Sequence, residues 1–126
     1  MQPYAEVTRR TTFEAAHRLP LHDGKCAKLH GHSYTVDLSV IGAINPATGM
    51  VCDFHVLDEF LQYNVHALYD HKDITEMFDG PATAEIIALT ILTEAARIFY
   101  QKREITVTVF ETADSWASVT WENEDA

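Results

Sequence analysis

The stretch "HSYTVDLSVIG", His32 to Gly42, decides the fold class. His32, Tyr34, Val36, Leu38 and Val40 fall on one face of an extended chain, and Ser33, Thr35, Asp37 and Ser39 on the other. A period of two with one apolar face is the signature of a half-buried strand. Upstream, residues 4–18 also read as a strand, because Val7, Thr11, Thr12 and Phe13 are β-formers and no breaker intervenes. Between the two lies "RLPLHDGKCAKLHGH", residues 18–32, whose proline, glycines and polar residues predict a loop of about a dozen residues, long enough to suggest function. Downstream, "AINPATGM" carries Asn-Pro and Thr-Gly turn signals, and residues 50–52 are expected to begin or continue the pairing.

The period then changes. Val56, Leu57, Phe60, Leu61, Val65 and Leu68 recur at helical spacing, with Asp53 placed to cap the start. After a loop from Asp70 to Pro81, Thr83 caps a second helix whose apolar set runs from Ile86 to Phe99. "EITVTVFE" (104–111) and "SWASVTWE" (115–122) alternate again as strands. The order ββααββ predicts an α+β fold: a four-stranded antiparallel sheet with two helices on one face. Such a sheet has two open edges, and oligomerisation is a common way to cover them.

At 126 residues the chain suits one domain over 1–126, and 47% hydrophobic residues support a core. A net charge of −10 argues against a nucleic-acid partner. The acidic cluster "WENEDA" reads as a solvated tail. Two cysteines, Cys26 and Cys52, are too few for a disulfide scaffold. With no secretory h-region and no run of about 18 apolar residues, the expected setting is the cytoplasm, with no membrane contact.

His30 and His32 are two apart in a strand, so they point to one side with Cα atoms about 6.6 Å apart. Gly31 between them leaves the approach open. His17 ends the first strand on the face of Phe13 and Ala15, and antiparallel pairing would bring it beside both. Three neutral imidazoles match the open type of zinc site, whose remaining position takes substrate or water. Against this stands the ordinary reading of His-x-His as surface or hydrogen-bonded histidines. His22 reads as a loop residue, and His55 and His66 as helix-surface residues.

Cys26 lies between Lys25 and Lys28, cations that favour a nearby anion. It fits either a fourth zinc ligand or a reactive thiolate. Cys52 reads as a small buried hydrophobe. Asp70 precedes His71 at a helix end, where a carboxylate can orient an imidazole; the alternative is a histidine favoured by the helix dipole. Glu111 shares a face with Val107 and Val109, so as a buried carboxylate it needs a donor, whereas as a strand-end residue it simply faces solvent.

"FEAAHRL", "CAKLHGHSY", "YDHKD", "TAE" and "ETADSWA", in this order and spacing, resemble the 6-pyruvoyltetrahydropterin synthase family over residues 6–118. The Cys-x-x-x-His-Gly-His spacing is similar to its bacterial branch, the 6-carboxy-5,6,7,8-tetrahydropterin synthases of queuosine and 7-deazaguanine biosynthesis. The resemblance implies a tunnelling fold (T-fold) whose trimers close a twelve-stranded barrel and stack as a homohexamer. It implies Zn(2+) held by His17, His30 and His32, with Cys26 as catalytic thiol. Asp70 and His71 become acid–base partners reached across a subunit interface, and Glu111 the pterin anchor. Thr83 is a substrate contact, although Ala82 here separates Pro81 from Thr83, where the family has Pro-Thr. The implied reaction is a carbon–carbon lyase converting 7,8-dihydroneopterin triphosphate to 6-carboxytetrahydropterin, acetaldehyde and triphosphate. The alternatives are a 6-pyruvoyltetrahydropterin synthase and, from another class, a zinc-stabilised binding module without turnover. A polyanionic substrate calls for cations, and Arg9, Arg10, Arg18, Lys25, Lys28 and Lys72 are near the proposed site in sequence.

Overall fold

The computed structural model describes Met1 and residues 3–125; Gln2 and Ala126, the last residue of the acidic tail, lie outside the described residues. Strand β1 (Tyr4–His17) pairs antiparallel with β2 (His30–Ala43) along its whole length, from Tyr4 opposite Ala43 to His17 opposite His30. The alternation of β2 sets the face: Tyr34, Val36, Leu38 and Val40 are fully buried. Phe13 of β1 joins them and stacks on Tyr34 with ring centroids 4.8 Å apart. The opposite face is polar, with hydroxyl pairs such as Thr8 to Ser39 at 2.7 Å.

Two helical layers cover the apolar face. The first begins as α1 (Phe54–Leu61), where the Asp53 carboxylate accepts from His55 N–H at 2.8 Å. It continues through a wide π-type turn, Gln62–His66, into α2 (Ala67–Tyr69). The second, α3 (Ala84–Ile98), packs Ile87, Ala88, Ile91, Leu92 and Ala95 into the core, against β4 (Glu104–Thr112) and β5 (Ser115–Glu122). Removing a buried side chain such as Leu57 would cost about 2–5 kcal/mol. The expected turn after β2 is present: Asn45 bridges Met50, and Gly49 adopts φ 75°, a left-handed conformation that favours glycine. No helix of the described residues is long and apolar enough to cross a membrane.

The expected four-stranded antiparallel sheet requires correction. The sheet has five strands in the order β3-β1-β2-β4-β5, and β3 (Lys72–Asp73) runs parallel to β1. The element order is therefore β, β, α, β, α, β, β rather than ββααββ. The cause is the outer edge of β1, whose backbone groups need partners. His71 N–H donates to the Glu14 carbonyl at 2.6 Å and Ile74 N–H to the Ala16 carbonyl at 2.8 Å, so the chain leaving α2 is stitched to that edge.

Candidate metal centre and acid–base cluster

The antiparallel register places His17 directly opposite His30, with His32 two residues further along β2 and opposite Ala15. Their ring centroids are 4.6, 5.0 and 4.8 Å apart. One nitrogen from each lies within 4.8 Å of the other two. The outer nitrogens of two of them are fixed by backbone. His17 Nδ1 donates to the Ala82 carbonyl at 2.7 Å, and His30 Nδ1 to the Lys28 carbonyl at 2.8 Å. With Nδ1 carrying the hydrogen, Nε2 presents a lone pair.

Nε2 of His17 and of His32 is buried without a hydrogen-bond partner. A buried orphan of this kind costs about 1–3 kcal/mol. A cation coordinated by these lone pairs removes that cost, so the residues fit a metal ion. Burial holds the His32 imidazole below its ordinary pKa; Glu111 opposes this, and the neighbouring His17 and His30 reinforce it. The neutral form is the ligating form. A Cβ at Gly31 would meet the Ala15 carbonyl at an ordinary 3.7 Å.

Glu111 reaches the same centre through an irregularity. The β4–β5 register shifts between Phe110 and Thr112, so Glu111 is the extra residue of a bulge. Bulges re-aim side chains beside functional sites. Its carboxylate oxygens lie 3.6 Å from His32 Nε2 and 3.8 Å from His17 Nε2, too far for hydrogen bonds. Glu111 also lines a cavity of about 310 Å³ with Leu19, Thr83, Glu85 and Trp116. Thr83 faces that cavity while its hydroxyl accepts from Ile86 N–H at 3.2 Å, capping α3.

Cys26 sits half-buried in the short helical turn Lys25–Ala27, and its carbonyl accepts from Leu19 N–H at 2.8 Å. Among the described residues it is not in the close-set ligand group, which holds His17, His30 and His32 alone. Of the six cations near the site in sequence, Arg9 binds Asp58 at 2.7 Å and Arg10 binds Asp37 through two bonds of 2.6 and 3.0 Å.

Asp70 and His71 lie at the outer edge of β1. Asp70 accepts from Glu14 N–H at 2.9 Å and from His71 Nδ1 at 2.7 Å. These donors, the Glu14 N–H foremost, hold the Asp70 carboxyl below the usual carboxylate range. His71 has φ 60°, a strained conformation for a residue with a Cβ, and its side chain is 79% exposed. Among the described residues no hydrogen bond or ion pair joins this pair to the three histidines or to Cys26. Sequence reading missed His66, which packs against Asp70 with Nε2 3.5 Å from Oδ2. The available signal was its i, i+4 spacing to Asp70 on one helical run.

Known proteins share both the sequence pattern and the fold. A family model described as 6-pyruvoyl tetrahydropterin synthase matches residues 6–122. A protein of Archaeoglobus fulgidus, provisionally named a 6-carboxy-5,6,7,8-tetrahydropterin synthase, is 37% identical over 86% of this chain and 90% of its own length. The 6-pyruvoyl tetrahydrobiopterin synthase of Drosophila melanogaster is 39% identical over 71% of this chain, which spans 63% of the fly protein. The structure of the Caenorhabditis elegans 6-pyruvoyl tetrahydropterin synthase superposes with a TM-score of 0.78 at 25% identity, covering 98% of each chain.

Proposed function

Because the chain belongs to the 6-pyruvoyl tetrahydropterin synthase family, we propose that it is a zinc-dependent 6-carboxy-5,6,7,8-tetrahydropterin synthase. The carrying observation is the convergence of His17, His30 and His32 with two buried, unpartnered Nε2 atoms. Residues 1–126 form one synthase domain, and the product serves 7-deazaguanine and queuosine biosynthesis. The reaction takes 7,8-dihydroneopterin triphosphate and water to 6-carboxytetrahydropterin, acetaldehyde and triphosphate.

His17, His30 and His32 hold zinc, which when bound supplies Lewis acidity to the substrate side chain. Glu111 anchors the pterin: an ionised carboxylate is acceptor-only and takes two N–H donors of the pyrimidine edge. Thr83 borders the same cavity and contacts the ring. Cys26, as thiolate, removes a proton next to the ring. His71, oriented by the Asp70 carboxylate, exchanges further protons as the side chain is cleaved. Two open sheet edges and the outward His71 ring support a homohexamer of two stacked trimers, in which Asp70 and His71 serve a neighbour's site.

The spacing Cys26-x-x-x-His30-Gly31-His32 and the archaeal relative favour the carboxylated product; the fly relative favours the 6-pyruvoyl alternative. Incubation of the zinc-loaded protein with 7,8-dihydroneopterin triphosphate, followed by product mass analysis, separates them. A carboxylated tetrahydropterin with acetaldehyde is expected. A retained pyruvoyl side chain overturns this reading in favour of the alternative, and no turnover leaves a zinc-stabilised binding module.

A further inference from the structure

Trp116 is 59% exposed, yet its ring is braced. It lies directly opposite Phe110 in the β4–β5 pairing, the last matched pair of β4 before the bulge that carries Glu111. The two ring centroids are 5.3 Å apart, with the planes tilted by 43°. The Arg10 guanidinium sits over the Phe110 ring at 5.6 Å, and Asp37 holds that guanidinium through two bonds. The contacts Asp37–Arg10–Phe110–Trp116 thus cross four strands and end at an exposed indole. A ring with only two side-chain torsions offers a large contact face at little entropic cost.

The same residue borders the cavity of about 310 Å³ that Glu111, Thr83 and Leu19 also line. That volume is at the small end of ligand pockets, suited to one compact ring system. A carboxylate that accepts from the N–H edge of a flat ring fixes the edge but leaves the plane free to swing. Fixing the plane needs a wall, and an offset or tilted aromatic face is the contact that aromatic rings prefer. Among the residues lining this cavity, Trp116 alone is aromatic.

We propose that Trp116 is a specificity-determining residue: its indole is the wall on which the flat bicyclic ring of the substrate lies while Glu111 holds that ring's N–H edge. This rests on the pterin reading of Glu111. A ring that is trigonal throughout lies flat on the indole. Reduction to the tetrahydro level makes two carbons of the second ring tetrahedral and lifts that part of the ring away. The wall therefore selects the flatter substrate over the more puckered product and favours release once the ring is reduced.

Two substitutions in the full-length, zinc-loaded protein separate stacking from mere apolar bulk. Trp116→Phe keeps an aromatic face, and Trp116→Leu keeps bulk without one. The probes are pterin, which lacks the side chain, and its 5,6,7,8-tetrahydro form, titrated by calorimetry without air. The parent should bind pterin roughly three- to tenfold more tightly than the tetrahydro form; the Phe variant should keep most of that preference and the Leu variant should lose it. In the Leu variant KM for 7,8-dihydroneopterin triphosphate should rise roughly three- to tenfold, with kcat within about twofold. The chain has two tryptophans, so 15N-tryptophan labelling of the parent gives two indole signals, which the variants assign. Pterin should shift the Trp116 signal and leave that of Trp121. The inference is overturned by a Trp116 signal that pterin leaves in place, by equal affinity of the parent for the two probes, or by parental KM in the Leu variant. If the Leu variant folds or assembles differently, the Trp116 signal of the parent decides alone. A moving Trp116 signal without turnover overturns the assigned reaction and leaves the wall standing. Turnover with an unmoved signal overturns the wall alone, and no binding of pterin by the parent overturns both.

Discussion

His17 donates its Nδ1 hydrogen to the carbonyl of Ala82 at 2.7 Å, with the Tyr34 hydroxyl oxygen at 3.2 Å from the same nitrogen. The carbonyl settles the tautomer, and the hydroxyl only shares it. His17→Ala should therefore abolish metal binding, whereas Tyr34→Phe, which removes about 1 kcal/mol of hydrogen bonding, should weaken zinc by less than about tenfold. Competition with a chromophoric chelator measures both. Equal loss in the two variants would contradict this ranking.

Glu111 is aimed by its bulge at the space between the imidazoles and the cavity bordered by Thr83 and Trp116. If Glu111 anchors a pterin as proposed, Glu111→Gln replaces one acceptor oxygen by a donor that clashes with a ring N–H. Bonds to a charged group contribute about 1.5–3 kcal/mol, so kcat/KM should fall roughly ten- to hundredfold. Metal content should remain that of the parent. Steady-state kinetics with metal analysis on the same preparation tests this, and zinc lost together with activity would make Glu111 a ligand instead.

The acid side of the stability profile depends on Asp70 and Asp73. Glu14 N–H and His71 hold down the first carboxyl, and the Thr75 hydroxyl and N–H the second. The unfolded chain therefore binds these protons at higher pH than the folded chain does. The stability they contribute is complete above the unfolded value and is lost as pH falls through the folded one. Unfolding free energy should decline below about pH 4. Asp70→Asn should start lower at neutral pH and decline less steeply. Denaturant titrations at stepped pH read both slopes, and parallel curves would remove Asp70 from the account.

Thr83 has two positions in the structure, a cap for α3 and a border of the cavity beside Glu111. Thr83→Ala should cost about 1 kcal/mol of stability through the cap alone, and Thr83→Ser should restore it. Equilibrium unfolding of the two variants decides the capping part. A serine as destabilised as the alanine would show that the methyl group, not the hydroxyl, matters.

Legibility tracks periodicity. The alternation of His30–Ala43 and the helical spacing from Val56 to Leu68 are readable because burial imposes a regular pattern on apolar residues. The convergence of His17 with His30 is readable for the same reason, since a strand end and a strand start meet across an antiparallel pair. Strand β3 is not readable. Lys72 and Asp73 are two polar residues with no period, recruited by a free edge that only the folded sheet presents. The wide turn at Gln62–His66 and the bulge at Glu111 are single-residue phase shifts, which composition does not register. His66 reads as a helix-surface residue because its partner, the Thr12 carbonyl, lies 54 residues away.

X-ray absorption at the metal edge of the zinc-loaded protein, with and without Cys26→Ala, is the most direct test of the central claim. Three ring nitrogens at about 2.0–2.1 Å plus an exchangeable light atom are expected, identical in both proteins, with turnover lost only in the variant. A sulfur scatterer near about 2.3 Å that disappears with Cys26 would make the site closed and structural, and would contradict the account.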